Sequence, residues 1–234
     1  MIKVYFYKMN QGDLSSGWEN YMALLPAWRQ ESCTRMRFER GRLQQLAAGL
    51  LLRYALMDAE GIDLMKAEVT INEHGKPQFV LYQNAAEDAA EAGNVHFNIS
   101  HSDDYIAVAI ADRPVGIDVE VKTDPDLKVT SRFYSPAEQQ AVRSAPDPQR
   151  EFRRLWTRKE AYVKCTGTGI YDSVAGIPSL EDQSGDYRLF TLKEEEEYAL
   201  SLVVCCPEEV LPEDISLKQV EGFGPAKGRM PSEF

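Results

Sequence analysis

The sequence predicts an α+β fold in two mixed halves that meet near Arg113. Three observations carry that reading. Strand-like runs stand beside long helical segments without regular strand-helix-strand alternation. Apolar residues between Phe38 and Asp58 recur at helical steps, and β-branched residues crowd between 95 and 121.

Residues 2–8 read as a strand, and the stretch from Trp18 to Leu25 as a helix that Pro26 interrupts. Leu43, Leu46, Ala47, Leu50, Leu51 and Tyr54 recur at steps of three and four, which places them on one helix face, and Gly61 is the expected stop. Val69–Ile71 and residues 79–81 flank His74-Gly75-Lys76-Pro77 and predict a hairpin. Residues 84–94, rich in Ala, Glu and Asp, read as a low-complexity loop. Runs at 95–99, Tyr105–Ala111 and Val115–Val121 are expected to be neighbouring strands of one sheet, with Arg113-Pro114 turning between the last two.

Ser135-Pro136-Ala137-Glu138 combines a capping serine, a proline at the first helical position and a glutamate at the third, so a helix runs from there to about Arg143. Residues 149–165 contain no Pro or Gly and predict a longer helix ended by Gly167. Residues 187–192, 198–204 and Ile215–Val220 read as three closing strands. The expected organisation is an N-terminal subdomain at 1–112, a C-terminal one at 113–222, and a mobile Gly/Pro-rich tail at 223–234.

At 234 residues, with 44% hydrophobic and 27% charged side chains, the chain is long enough to bury a core of its own. A net charge of −11 argues against nucleic acid as a partner, since that binding depends on neutralising phosphates. No apolar run approaches the roughly 20 residues that span a bilayer, and the first residues are too short and aromatic a run for a signal peptide. A cytoplasmic location is therefore expected. Cys33, Cys165, Cys205 and Cys206 lack CxxC spacing and read as buried thiols. Against the acidic background, Arg29, Arg35, Arg37, Arg40 and Arg42 form a local basic stretch.

Three segments carry chemistry. In Val115-Gly116-Ile117-Asp118-Val119-Glu120 the two acids stand at i and i+2 of a strand and share a face. Carboxylates aimed together on a buried face need a cation, and hard oxygen ligands suit Mg²⁺; a solvent-facing strand would show the same alternation. In Trp156-Thr157-Arg158-Lys159-Glu160-Ala161-Tyr162-Val163-Lys164, Trp156, Glu160 and Lys164 recur at i+4, which also fits a plain Glu–Lys helix pair. Asn98-Ile99-Ser100-His101-Ser102 ends a strand with hydroxyl and imidazole groups that can bond phosphate oxygens. His74, His96 and His101 show no metal-ligand spacing.

Together, in this order, the three segments closely resemble those of the phosphopantetheinyl transferases, over roughly residues 38 to 180. The length is similar to that of the longer, monomeric class typified by the activator of surfactin synthetase. Arg132-Phe133-Tyr134-Ser135 with Glu138, and Gly75-Lys76-Pro77, resemble further family segments. The resemblance implies two pseudo-symmetric subdomains with a coenzyme A cleft between them. Asp118, Glu120 and Glu160 would hold Mg²⁺. Glu160 would serve as general base, directly or through water, and Lys164 would meet charge on the leaving group. Ser100 and His101 would bind the donor's phosphates, Lys76 and one of Arg37, Arg40 or Arg42 its ribose phosphate, and Pro77 would shape the adenine pocket. Gln44 stands where relatives often carry Arg. The acceptor would be an apo acyl or peptidyl carrier protein, docked on Arg150, Arg153, Arg154 or Arg158.

Two other readings use the same residues. Asp104 with Glu120-Val121-Lys122 mimics a metal-dependent nuclease signature, against which the acidic charge counts. A coenzyme A or carrier-binding module without turnover would be expected to lack a metal ligand, whereas all three acids are present.

Overall fold

The computed structural model describes residues 1–10, 12, 14, 17–71, 77–79, 95–122, 130–168 and 174–223. The segment 84–94, Lys76 and the residues after Phe223 lie outside these. In the first sheet, β1 (Ile2–Lys8) runs between β5 (Tyr105–Ala111) and β10 (Ile215–Val220), and β4 (His96–Ser102) closes the order β10-β1-β5-β4. A second sheet has the order β6 (Val115–Val121), β9 (Tyr198–Cys205), β8 (Tyr187–Glu194) and β7 (Gln183–Ser184). β2 (Val69–Ile71) and β3 (Pro77–Phe79) pair antiparallel, with Val69 opposite Phe79, so the second strand expected at 79–81 already includes Pro77, and residues 80 and 81 lie outside the described ones.

Strand alternation separates two cores. From β1 and β5, Tyr5, Tyr7, Ile106, Val108 and Ile110 pack with the N-terminal helices, while Val4, Phe6, Ala107, Ala109 and Ala111 share a second cluster with Val115, Ile117, Val119, Leu200 and Leu202 of the other sheet. The small β5 side chains on that face leave room for the second sheet. Each half sets one long helix on four strands: α3 (Glu39–Glu60) on the first sheet and α6 (Pro148–Thr166) on the second. Among the described residues no helix is long and apolar enough to cross a membrane.

The helix ends follow the sequence signals. α3 stops at Gly61, which takes the left-handed conformation at φ 66° that glycine adopts without a Cβ clash. α5 (Pro136–Ser144) begins in a full capping box between Ser135 and Glu138. At α6 the Asp147 side chain accepts from the backbone N–H groups of Gln149 and Arg150, and Gly167 closes the helix at φ 70°.

Four expectations change. After α1 (Trp18–Met22), Pro26 does more than interrupt a helix: it caps a further one, α2 (Ala27–Thr34), which buries only Arg29 and Cys33 and so shows no apolar period. The three runs between 95 and 121 do not share a sheet. β4 and β5 pair, but at Arg113-Pro114 the chain crosses over and β6 joins β9 in the second sheet. The last strand, grouped by the sequence with the second half, returns to pair parallel with β1 at the edge of the first sheet. Phe223, expected to start the tail, packs edge-on against Tyr7. A short α4 (Thr130–Phe133) precedes α5.

Candidate active site

The acids of β6 point away from the core that holds Ile117 and Val119, towards α6. α6 can come close because position 116 is glycine: a Cβ there would overlap the Ala161 carbonyl oxygen and the Cys165 backbone. That approach brings Lys164 onto the strand, where its Nζ lies 2.5 Å from Asp118 Oδ1 and 2.9 Å from Ser100 Oγ. Glu160, one turn earlier on the same helix face, is 9% exposed, and Asp118 is 3% exposed.

β4 runs alongside β6 without sharing its sheet, and side chains make the join. Asn98 Oδ1 accepts from the Ile117 N–H at 2.9 Å, Ser100 Oγ from Val119 at 3.2 Å and Ser102 Oγ from Val121 at 3.2 Å. The two hydroxyls also donate, Ser100 to Asp118 Oδ1 at 2.9 Å and Ser102 to Glu120 Oε2 at 3.0 Å.

Burial and mutual repulsion push the carboxyls up. Desolvation is the largest cause for Glu160, with the Asp118 and Glu120 charges adding and Lys164 opposing; its carboxyl is pushed up to about 7. Glu120 is raised by burial and then by Asp118, against Ser102, Lys164 and Trp156. Asp118 is raised by burial, against Lys164, Ser100 and the Val119 N–H. Asp118 Oδ2 is buried with no hydrogen-bond partner. Three acids thus bear on one another across two elements. Among the described residues, however, no three His, Cys, Asp or Glu side chains are drawn into a ready-made metal cage.

His101 stands beside this cluster. Its Nε2 meets the Gln45 side-chain nitrogen at 2.9 Å, and the Arg29 guanidinium donates to the Gln45 carbonyl oxygen at 2.6 Å and to Gln45 Oε1 at 3.2 Å. Desolvation, then the Lys164 and Arg29 charges, hold the imidazole below its usual range. Arg29 is 6% exposed and its Nε lacks a partner. At the C-terminal end of α6 opens a cleft of about 270 Å³, lined by Pro77, Phe79, His96 and Phe97 together with Cys165, Thr166 and Gly167.

Residues 114–207 match the family described as 4'-phosphopantetheinyl transferase superfamily, and residues 13–113 match its N-terminal family, described as 4'-phosphopantetheinyl transferase, N-terminal. A 4'-phosphopantetheinyl transferase of Bacillus subtilis is 32% identical over 221 residues, which cover 88% of this chain and 94% of the relative. This chain belongs to the 4'-phosphopantetheinyl transferase superfamily. It is of the Sfp-like class: the transferase Sfp of Bacillus subtilis (strain 168) is 27% identical over 94% of this chain and 99% of its own length. HetI of Nostoc sp., another 4'-phosphopantetheinyl transferase, is 31% identical over 72% of this chain and 70% of its own.

Of the site residues the sequence singled out in this transferase, the fold gathers Ser100, His101, Asp118, Glu120, Glu160 and Lys164 around the junction of β4, β6 and α6, with Pro77 on the adjoining cleft. The Ser100 hydroxyl gives its proton to Asp118. Arg40 is held by Asp103 at 3.2 Å and Asp104 at 3.1 Å, and exposed Arg37 lies against the Phe38 ring. Gln44 bonds the Asp103 carbonyl oxygen. The side chain that bonds His101 is Gln45, which Arg29 bonds in turn. The sequence reading did not single out Gln45 and placed Arg29 only within the basic stretch, because the helix α2 that carries it shows no apolar period. Lys76 lies outside the described residues.

The proposed docking arginines are corrected in part. Arg153 and Arg158 are buried, the first on the carbonyls of Glu195 and Glu196, the second on the Glu181 carbonyl and Asp182. Arg154 is bidentate to Glu151, and Arg150 holds Glu194. The nuclease-like residues scatter: Asp104 faces Arg40 while Lys122 pairs with Glu196.

Proposed function

We propose that this enzyme transfers 4'-phosphopantetheine from coenzyme A to a serine of an apo acyl or peptidyl carrier protein, with Mg²⁺, releasing adenosine 3',5'-bisphosphate. The observation that supports this best is the convergence of Asp118, Glu120, Glu160 and Lys164 at one point between β6 and α6. Such a set suits charge-dominated phosphoryl chemistry, in which the protein aligns the reactants and meets charge on the phosphate oxygens. In this reading residues 1–112 supply the donor side and 113–222 the metal ligands and catalytic helix. The chain acts as a cytoplasmic monomer, with neither nucleic acid nor membrane as a partner.

The carboxylates fit the metal by their chemistry. Asp118 Oδ2 is a buried oxygen without a donor, and burial of the three acids is unfavourable without a divalent charge beside them. Asp118, Glu120 and Glu160 would hold Mg²⁺, which when bound offsets negative charge on the donor's pyrophosphate.

The remaining steps belong to the chain's own residues. Glu160 would take the carrier serine's proton, directly or, because a carboxylate that holds Mg²⁺ is a weak base, through a water. The serine oxygen then bonds to the phosphorus nearer pantetheine, and the bond from that phosphorus to the bridging oxygen of the pyrophosphate breaks. Lys164 meets the charge left on the departing adenosine bisphosphate. His101, backed by Gln45 and Arg29, would bind the donor's phosphates, and Pro77 and Phe79 would wall its adenine.

Intact-protein mass spectrometry of several apo carrier proteins, incubated with the enzyme, coenzyme A and Mg²⁺ beside a chelated control, tests this. A metal-dependent gain of one phosphopantetheine on a carrier is expected. No gain on any carrier by a folded enzyme that still binds coenzyme A would overturn the transfer reading.

A further inference from the structure

We propose that Ser102, with Ser100, is a positioning residue that aims the β6 carboxylates at the metal. The inference rests on the Mg²⁺ reading above and extends it to two hydroxyls of the opposite half. It starts from a matched spacing. Serines at i and i+2 of β4 face acids at i and i+2 of β6, with an offset of 18 residues for both hydroxyl–carboxylate pairs.

A stitch between two sheet edges needs only acceptors for the β6 N–H groups. Asn98 Oδ1, which accepts from Ile117, is such an acceptor and touches no acid. The serines do more. Each hydroxyl has one proton and two lone pairs. The Val119 and Val121 N–H groups occupy a lone pair on Ser100 and Ser102, which leaves each proton to the adjacent carboxylate. One oxygen of each acid is thereby held by β4, and the other is not. For Asp118 that other oxygen is Oδ2, buried and without a partner. Groups that hold a ligand's second oxygen in this way typically set metal affinity by about 10–100-fold.

Ser102 is the cleaner test, because Ser100 also receives Lys164. Mg²⁺ would be titrated into the folded enzyme at pH 8 and read by calorimetry, with the change in total tryptophan emission as a second readout, since the Trp156 indole acts on Glu120. Ser102→Ala is expected to raise the Mg²⁺ half-saturation by about tenfold or more. Ser102→Thr, which keeps the hydroxyl, should stay near wild type. Ser102→Cys, a weaker donor of similar size, should give a severalfold rise and covers the case in which alanine unfolds the edge. Asn98→Ala removes a stitch without touching an acid, so it should lower thermal stability yet leave the half-saturation alone.

Wild-type Mg²⁺ affinity in Ser102→Ala or Ser102→Cys overturns the proposal, and so does a loss in Asn98→Ala as large as in Ser102→Ala, which would reduce the serines to stitches. If the wild type itself gives no response to Mg²⁺, the metal reading falls and takes this inference with it. That outcome is distinct from a responsive wild type with indifferent serine variants.

Discussion

α3 and α6 each lie along a four-stranded sheet, yet only α6 buries several charges among its apolar residues. The residues α3 buries are Leu, Ala and Gly with the single charge of Arg53, whereas α6 buries Arg153, Arg158, Lys159 and Glu160 in one helix of 19 residues. The first is what a core helix should look like, with each fully buried leucine worth about 1.5–3 kcal/mol. The second is tolerable only because other elements supply partners. Lys159 Nζ reaches Glu138 Oε1 at 3.0 Å and the carbonyls of Val174 at 2.7 Å and Ile177 at 2.6 Å, while Arg153 and Arg158 take backbone carbonyls. Glu160 is the exception. Burial and neighbouring charge act on it, with no hydrogen bond among the causes of its shift. Buried charge on α6 therefore divides into groups that hold the helix in place and one that is held at a disadvantage.

The sharpest test of that division is Glu160→Gln. Transfer is expected to fall by about 10²–10⁴-fold, the range for loss of a general base. Thermal stability at pH 8 is expected to rise, since a neutral amide escapes the repulsion of Asp118 and Glu120. Reduced stability with retained transfer, measured by melting and by carrier mass spectrometry, would place Glu160 among the supporting charges.

The pH dependence follows with a definite sign. Glu160 has a folded value of about 7 against an ordinary 4.5, so between those limits the folded state holds the proton more firmly than the unfolded chain. Its effect is absent below pH 4.5, and stability falls as pH rises through the window, by up to about 3 kcal/mol from this group alone. Chemical denaturation across pH 4.5–8 without metal should show a downward component that Glu160→Gln flattens. Mg²⁺ should restore stability at pH 8 and have little effect at pH 5, where the proton already fills its place.

Lys159→Met probes the supporting class. It leaves Glu138, 1% exposed, without its cation, and loss of one partner of a buried pair costs about 3–5 kcal/mol. Denaturant unfolding would measure it. A loss under about 1 kcal/mol would mean that the Ser179 and Ser135 donors to Glu138 suffice. In α3, Leu51→Ala should cost about 2–5 kcal/mol through a cavity, while kcat/KM of the folded protein stays near wild type.

The contrast between the helices also explains what the sequence made legible. α3 was readable from its apolar period, and β5 and β6 from their β-branched runs. α2 shows no apolar period, since it buries an arginine and a cysteine. The site was legible as three segments, but not the way β4 and β6 meet. Strands 95–121 are equally rich in β-branched residues whether they share a sheet or not, and pairing is decided by partners such as β9, some 80 residues away. The Arg29–Gln45–His101 chain was hidden for the same reason, as three elements contribute one residue each. The buried arginines of α6 looked like a docking surface because charge on a helix is usually solvated, and only the 181–196 segment that covers them shows otherwise.

The smallest effect separates local from tertiary support for α6. Ser135 caps α5 by accepting from the Glu138 N–H, and Glu138 Oε2 returns the bond to the Ser135 N–H at 2.7 Å. The other carboxylate oxygen, Oε1, takes Ser179 and Lys159. Ser135→Ala removes the outgoing half of the box and leaves Oε1 untouched, so it should cost about 1 kcal/mol, the usual value for a lost cap. If the Glu138 oxygens act independently, Ser135→Ala and Lys159→Met add within about 0.5 kcal/mol in a double-mutant cycle. A coupling beyond about 1 kcal/mol would mean that the cap holds the carboxylate in place for Lys159, and that α6 is positioned in part from the first turn of its neighbour.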